Sequence, residues 1–304
     1  MISDDGRKFY YEALKIPVSV SGKFSIKHLV KKSGTKLPTA TMRTSLFGGH
    51  ENKDILFDYS TTWHSLTEED DGVWMTDLPI EQFQADTMLN EKVYGTVLVG
   101  GLGLGYAAQL IASQPQVDRI IVIEKSQDVV DLVWKHLRFP KGTEVHIEVV
   151  DLFDYLKLSK IAVEKSSGND EVFDCGFYDI WRSDGEYTFH HTVIPLRQLS
   201  STVINGPLYC WNEDIMRSQL LMALHSGSLF MNNHHSEIKH MNLDELSTFS
   251  PENDIWHNWK VPYYTAVKNK VFALDDTDAM AKYVKMYGRP DFADEMMVHL
   301  KYGE

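Results

Sequence analysis

From Val93 onward, short apolar runs alternate with amphipathic segments, and this alternation constrains the fold more than any other feature. The runs "TVLVGG", "DRIIVIEKS", "EVHIEVV" and "VFDCGFYDIW" are typical of buried strands, and "PLYCWNED" predicts a fifth. Helical patterns such as "GYAAQLIASQ" and "SQDVVDLVWKHL" lie between them, the second with Ser126 placed as its N-cap. Strands that alternate with helices in this way predict an α/β fold with a doubly wound, Rossmann-like, mostly parallel sheet.

The first 90 residues have a different pattern. Short β-type runs such as "IPVSVSG", "ATMRTSLFGG", "DILFDYSTTWHSL" and "GVWMTDLPI" are separated by glycine, proline and charged turns. We therefore predict a small β-rich N-terminal domain over residues 1–90 and a Rossmann-like nucleotide-binding domain over residues 91–304. The latter ends in a helical extension, with helices predicted in "IMRSQLLMALHSG", "DDTDAMAKYVKMYG" and "PDFADEMMVHLKYG".

Composition and charge exclude several classes of function. Thirty Lys and Arg against 43 Asp and Glu give a formal net charge of −13, which disfavours nucleic acid as a partner. Cys175 and Cys210 both lie in apolar runs and predict buried thiols in a reducing compartment. No stretch approaches the roughly 18 apolar residues of a membrane span, and the N-terminus has no apolar signal region. We expect a cytoplasmic protein without a membrane partner.

The stretch "VLVGGLGLGY", from Val97 to Tyr106, marks the first turn of the predicted sheet. Glycine is favoured where something approaches the backbone closely, so these glycines indicate either a ligand or a close helix–strand contact. A dinucleotide fingerprint requires G-x-G-x-x-G, but Tyr106 stands where its third glycine would be. The spacing from Gly101 is G-x-G-x-G.

This tighter spacing resembles the first motif of class I S-adenosylmethionine (SAM)-dependent methyltransferases. The resemblance implies that the loop lies beneath the methionine and ribose parts of the cofactor. The implied cofactor-binding residues in the loop are Gly100, Gly101, Gly103 and Gly105.

Two acidic residues follow the next two predicted strands. Glu124 ends "IIVIEK", and a carboxylate at this position can accept hydrogen bonds from ribose hydroxyls in both NAD enzymes and methyltransferases. Asp151 follows "EVV", where the methyltransferase resemblance implies an acidic residue close to the adenine. Asp151 is equally well placed to cap the helix that begins in "LFDYL", and the two roles are compatible.

The order of these segments is similar to the spermidine synthase-like branch of the superfamily. The similarity rests on "DGVWMTDLPIEQFQADTML", "VDLFDYL" and "FDCGFYDIW", and covers about residues 55–220. It implies that Asp179, at the end of the fourth strand, is the functional aspartate. Two features depart from the aminopropyltransferases of this branch: Gly103 stands where they carry a loop aspartate, and "DIWRSDG" retains only Asp179 of their fourth-strand signature.

Fewer sequence features indicate which residues would bind the acceptor substrate. Asp179, as a carboxylate, could orient an amine or accept its proton, or could be a loop or helix-cap residue. Trp181 is a candidate aromatic wall, and Trp74 and Gln84 are candidates for a lid. Adjacent histidine pairs such as His190 and His191 lack the spacing of a zinc helix, so no metal is expected.

Three functions remain open at this point. The first is a SAM-dependent methyltransferase that acts on a small molecule or a protein side chain. The second is a spermidine synthase-like aminopropyltransferase that uses decarboxylated SAM and a diamine. The third is a binding or structural protein that keeps the fold without catalysis. The expected partner is a small-molecule acceptor, and the sequence leaves a homodimer open.

Overall fold

The computed structural model describes residues 15–37, 55–165, 172–182, 188–216 and residue 245. The strand predicted in "ATMRTSLFGG" and the helical segments predicted after residue 216 lie outside the described residues. In the part of the chain that is described, no helix is long and apolar enough to cross a membrane.

The N-terminal sheet is antiparallel and has the strand order β1-β2-β5-β6. Its strands are β1 (Ser19–Ser21), β2 (Phe24–Lys31), β5 (Thr61–Glu68) and β6 (Gly72–Thr76). A separate short pair consists of β3 (Lys36–Leu37) and β4 (Ile55–Leu56). This antiparallel architecture agrees with the short β-type runs seen in the sequence.

The second sheet is parallel throughout its described strands and has the order β11-β10-β7-β8-β9. Its strands are β7 (Gly95–Gly100), β8 (Val117–Glu124), β9 (Glu144–Val149), β10 (Cys175–Tyr178) and β11 (Leu208–Cys210). The chain builds outward from β7 to β9, then returns to the other side of β7 to form β10 and β11. The predicted doubly wound, Rossmann-like fold is confirmed, and its topological switch point lies between β7 and β10.

Helices connect these strands, as the alternating pattern predicts. They are α1 (Pro79–Leu89), α2 (Tyr106–Ala112), α3 (Gln127–Val133), α4 (Leu152–Lys165) and α5 (Ile194–Ser200). The predicted Ser126 cap is confirmed, because the Ser126 hydroxyl accepts a hydrogen bond from the backbone N–H of Val129 at 3.4 Å.

Burial along the strands explains their sequence patterns. The last four residues of β7 and all of β10 are buried, as expected for central strands of a sheet that is covered on both faces. The edge strand β9 alternates instead: Glu144, His146 and Glu148 are exposed, whereas Val145 and Ile147 are half-buried. The buried apolar runs of β7 and β10 therefore mark the middle of the sheet, and the polar alternating run of β9 marks one edge.

A β-bulge interrupts the pairing of β5 with β6. Leu66 is paired with Met75 and Thr67 with Val73, so Trp74 is the extra residue on β6. In a regular strand, neighbouring side chains point to opposite faces. Here both Trp74 and Met75 pack against the same buried core, which also contains residues of the parallel sheet.

Contacts within the chain divide it into two units. One comprises Met1–Arg182 with Leu196–Trp211, and the other comprises Ser183–Pro195 with Asn212–Glu304. Both sheets belong to the first unit. The domain boundary near residue 90 stays a prediction.

A buried, hydrogen-bonded pair of side chains joins β5 to the segment after β6. The Asp77 carboxylate accepts hydrogen bonds from the backbone N–H of His64 at 2.5 Å and from its Nδ1–H at 2.6 Å. His64 Nε2 in turn accepts from the backbone N–H of Ile16 at 3.3 Å. Because Nε2 is an acceptor, the ring is neutral with its proton on Nδ1. The Asp77 side chain is fully buried, so both of its oxygens depend on these donors.

We expect Asp77→Asn to lower the free energy of unfolding by about 1–3 kcal/mol, because the amide can accept only one of the two hydrogen bonds. The control is Asp70→Asn on the exposed turn before β6, which should change it by less than about 0.5 kcal/mol. Urea denaturation of both variants measures the difference. Equal stability of the two variants would contradict a structural role for this pair.

Candidate functional site

The candidate site lies at the carboxyl ends of the central parallel strands. Two backbone hydrogen bonds fix its geometry: the N–H of Gly101 donates to the carbonyl of Ile123 at 2.8 Å, and the N–H of Asp179 donates to the carbonyl of Gly100 at 2.8 Å. They connect the glycine loop after β7 to β8 on one side and to the exit of β10 on the other. Open α/β sheets bind ligands at such a switch point.

All four glycines of the loop are in close contact with other parts of the protein. Gly101, Gly103 and Gly105 have φ angles of +94°, +51° and +77°, in the region that favours glycine. The neighbours that a Cβ would meet are Leu152 and Tyr178 at Gly100, the Asp179 carbonyl and Ile180 at Gly101, Met75 at Gly103, and Leu137 at Gly105. At Gly101 the neighbour is backbone, so packing excludes a side chain there whether or not a ligand also uses the loop; at Gly103 and Gly105 the neighbours are side-chain ends, and the positive φ is the stronger reason for glycine.

Glu124 holds the glycine loop from the end of β8. One carboxylate oxygen accepts from the backbone N–H of Leu102 at 2.9 Å, and the other accepts from the N–H of Ser126 at 2.8 Å. The side chain thus joins the turn after β7 to the turn after β8. Each carboxylate oxygen can accept a further hydrogen bond, so these contacts are compatible with ribose binding, which stays a prediction.

Asp151 caps helix α4, the alternative role considered for it. Its Oδ1 accepts from the backbone N–H of Phe153 at 2.9 Å, and its Oδ2 lies 3.3 Å from Nζ of Lys125. The side chain is one-third exposed, at 33%. The carboxylate remains accessible beside the strand ends, and its proposed contact with adenine stays a prediction.

The exit of β10 brings a carboxylate and an indole to the switch point. Asp179 and Trp181 are both half-buried, and Trp181 Nε1 is buried without a hydrogen-bond partner among the described residues. A buried N–H without an acceptor is costly, so the Trp181 indole is an unsatisfied donor at the exit of β10. The preceding Tyr178 is structural: burial raises the pKa of its hydroxyl, which hydrogen-bonds to Ser200 at 2.8 Å.

The N-terminal sheet contacts the carboxyl edge of the parallel sheet at several points. The Ser21 hydroxyl donates to Oδ1 of Asp128, in helix α3 after β8, at 3.0 Å. Met75 on β6 contacts the glycine loop after β7, where its Sδ accepts from the backbone N–H of Leu104 at 3.2 Å. Residues of the N-terminal sheet therefore contact both the loop after β7 and the helix after β8.

Arg182 makes a third contact and was not identified from the sequence. Its guanidinium lies 3.0 Å from Oδ2 of Asp71, donates to the Asp71 carbonyl at 2.9 Å, and lies 4.7 Å from the centre of the Trp74 ring. These contacts attach the exit of β10 to β6 and to the turn before it. Asp71 and Arg182 are 111 residues apart, so no local sequence pattern connects them.

The lid candidates have different positions. Trp74 lies on the bulge of β6, against Phe24 and Arg182. Gln84 is half-buried on helix α1, which packs against α2. The function of both residues stays a prediction, but only Trp74 has a described contact with the exit of β10.

Comparisons with known proteins give matches among solved structures. No protein-family model matches the chain, and no curated protein matches it either. One solved structure with local likeness is human methyltransferase-like protein 13 in complex with SAH. The match has 13% sequence identity and a TM-score of 0.30, and it covers 40% of this chain and 58% of that chain. A second is a proposed SAM-dependent methyltransferase from Streptococcus mutans. This match has 13% sequence identity and a TM-score of 0.35, and it covers 55% of this chain and 46% of that chain.

Spermidine synthase from Thermotoga maritima matches with 12% sequence identity and a TM-score of 0.31. The match covers 64% of each chain. In each of these three cases the match spans less than two thirds of the other protein's length. The proteins are of the two kinds that the sequence resembles, methyltransferases and a spermidine synthase. At these identities and scores, the activity of this chain does not follow from them.

We expect Gly101→Ala to be more destabilising than Gly34→Ala. Gly34 also has a positive φ, +80°, but has open space around it, so its substitution should cost only about 1 kcal/mol of backbone strain. At Gly101 the new Cβ would also overlap the Asp179 carbonyl, and the total loss should reach about 3 kcal/mol or more. Thermal and urea unfolding measure both variants; equal losses would show that the close approach at the loop is unimportant.

Proposed function

We propose that the chain is a SAM-dependent methyltransferase that acts on a small molecule or a protein side chain. The observation that carries the proposal is the convergence of Glu124, Asp179 and the glycine loop at the switch point of the parallel sheet. The G-x-G-x-G spacing favours an adenosyl sulfonium cofactor over a dinucleotide, because Tyr106 replaces the third dinucleotide glycine.

The residues at the strand ends fit such a cofactor. Glu124 would accept hydrogen bonds from the ribose hydroxyls, and Asp151 would accept one from the adenine amino group. The unpartnered Nε1–H of Trp181 offers a donor on the same side of the sheet. When bound, SAM would supply a methyl carbon activated by its sulfonium sulfur, with SAH as the leaving group.

The remaining chemistry belongs to the chain's own residues. Asp179 would orient the acceptor and take up its proton where it carries one, because a carboxylate can accept from an amine or a hydroxyl. Met75 and Arg182 contact the glycine loop and the exit of β10 respectively, where they would limit the access of water. Alignment and water exclusion are the main requirements for a displacement of this kind.

A second candidate is a protein that keeps the fold without catalysis. The observation in its favour is that each loop glycine is already explained by a protein neighbour, including Met75 beside Gly103. On this alternative, the loop is a packing device and no adenosyl ligand binds. Binding measurements separate the two.

We expect the protein to bind S-adenosylhomocysteine (SAH), and Glu124→Gln to weaken binding by about tenfold or more, because an acceptor for ribose is lost. The matched control is Glu148→Gln on the exposed edge strand β9, which should bind as the unchanged protein does. Calorimetry measures the affinities. A thermal melt of each variant establishes that it is folded, since Glu124 also holds the loop.

Absence of heat with both SAM and SAH, at concentrations up to the millimolar range, would overturn the proposal and favour the second candidate. Binding of NAD in preference to SAH would overturn it as well.

Asp179 is tested by its interaction with an amine. In the presence of SAH, Asp179→Asn should weaken the binding of putrescine, used as a cationic probe, by about tenfold, because a charge-assisted hydrogen bond is lost. Its affinity for SAH should stay within about twofold. The control is Asp154→Asn on the exposed face of α4. Unchanged putrescine binding in Asp179→Asn would remove Asp179 from the acceptor site.

A further inference from the structure

Met75 occupies the space that borders the glycine loop at Gly103. Its Sδ accepts a hydrogen bond from the backbone N–H of Leu104 at 3.2 Å, and a Cβ built on Gly103 would overlap the same sulfur. The side chain comes from β6 of the N-terminal sheet, so it reaches the loop from outside the parallel sheet. The backbone at Gly103 and Leu104 is therefore covered by a thioether.

The β-bulge explains why Met75 is there. Trp74 is the extra residue of β6, and both Trp74 and Met75 pack against the core that the two sheets share. Trp74 contacts Arg182 after β10, while Met75 contacts the loop after β7. The bulge thus aims two consecutive side chains at the two strands that form the switch point, as bulges next to binding sites can do.

The contact is one that a ligand can replace. A thioether is a weak acceptor compared with a carboxylate or hydroxyl oxygen, so the Leu104 N–H has a stronger partner available in an oxygen-bearing ligand. Methionine is unbranched with flexible torsions, and Met75 is only half-buried, so its terminal atoms can move without displacing β6.

We propose that Met75 is a displaceable plug on the glycine loop, and that an oxygen acceptor of the ligand takes its place at the Leu104 N–H. This inference rests on the proposed function, because it concerns how the adenosyl ligand enters the same site. It makes Met75 a specificity-determining residue: ligands with a carboxylate tail displace the thioether better than ligands that end in a methylthio group.

The test uses the full chain and two methionine truncations. Met75→Ala removes the plug, whereas Met88→Ala is the matched control, since Met88 on helix α1 is also half-buried against the same core. Calorimetry with SAH, which carries a carboxylate, and with methylthioadenosine, which does not, gives four affinities to compare with those of the unchanged protein.

We expect Met75→Ala to bind SAH about five- to tenfold more tightly, because the ligand no longer has to break the sulfur contact. Its affinity for methylthioadenosine should change by less than about twofold, and Met88→Ala should leave both affinities within the same limit. If Met75→Ala gained the same affinity for both ligands, or no affinity for SAH, the proposal that Met75 is a plug would be overturned. Cofactor binding would not be affected by that result. Failure of every form of the protein to bind SAH would overturn the proposed function, and the plug with it.

A second measurement follows Met75 itself in the unsubstituted protein. In protein labelled with ¹³C at the methionine methyl groups, SAH should shift the Met75 resonance, while the Met88 resonance should stay in place. Assignment uses the two alanine variants. SAH binding with an unmoved Met75 resonance would overturn the plug.

Discussion

The close approach of the glycine loop to the exit of β10 is the constraint on which the rest of the site depends. Gly101 lies so near the Asp179 carbonyl that a Cβ would overlap it, while the Asp179 N–H donates to the Gly100 carbonyl at 2.8 Å. The two central strands can therefore end side by side. The segment that follows β10 therefore lies next to the loop, and it contains Asp179, Trp181 and Arg182. Any ligand that the loop binds would lie beside this segment.

The N-terminal sheet completes this arrangement. Its contacts through Ser21, Met75 and Asp71 reach the segments after β8, β7 and β10 respectively. Each contact involves a polar or polarisable group, so the two sheets meet at the strand ends through polar contacts as well as through their shared core. The same sheet is stabilised internally by the buried His64–Asp77 pair, so its stability and its position over the strand ends have separate physical causes.

The fold was largely predictable because its signals are local. Continuous apolar runs predicted β7, β8 and β10, and Ser126 predicted the start of α3, since burial and capping act over a few residues. The positions of Gly101, Glu124 and Asp179 followed from the ends of those strands, and the position of Asp151 followed from the end of β9. The contact partners did not: Glu124 binds loop amides, and Arg182 pairs with Asp71 across 111 residues, which no period or motif encodes.

The sequence by itself determined the parallel sheet and the chemical types of side chain at the strand ends, whereas the strand order and its switch point came from the structure. Only the tertiary structure decided what surrounds the glycines. The G-x-G-x-G spacing indicates a backbone that another group approaches closely. Glycine is favoured equally whether that group is a ligand or a neighbouring side chain, so the sequence does not distinguish the two. The β6 bulge, a register irregularity between two strands of another sheet, brings Met75 to Gly103. Such a long-range packing relation arises only when both sheets are assembled.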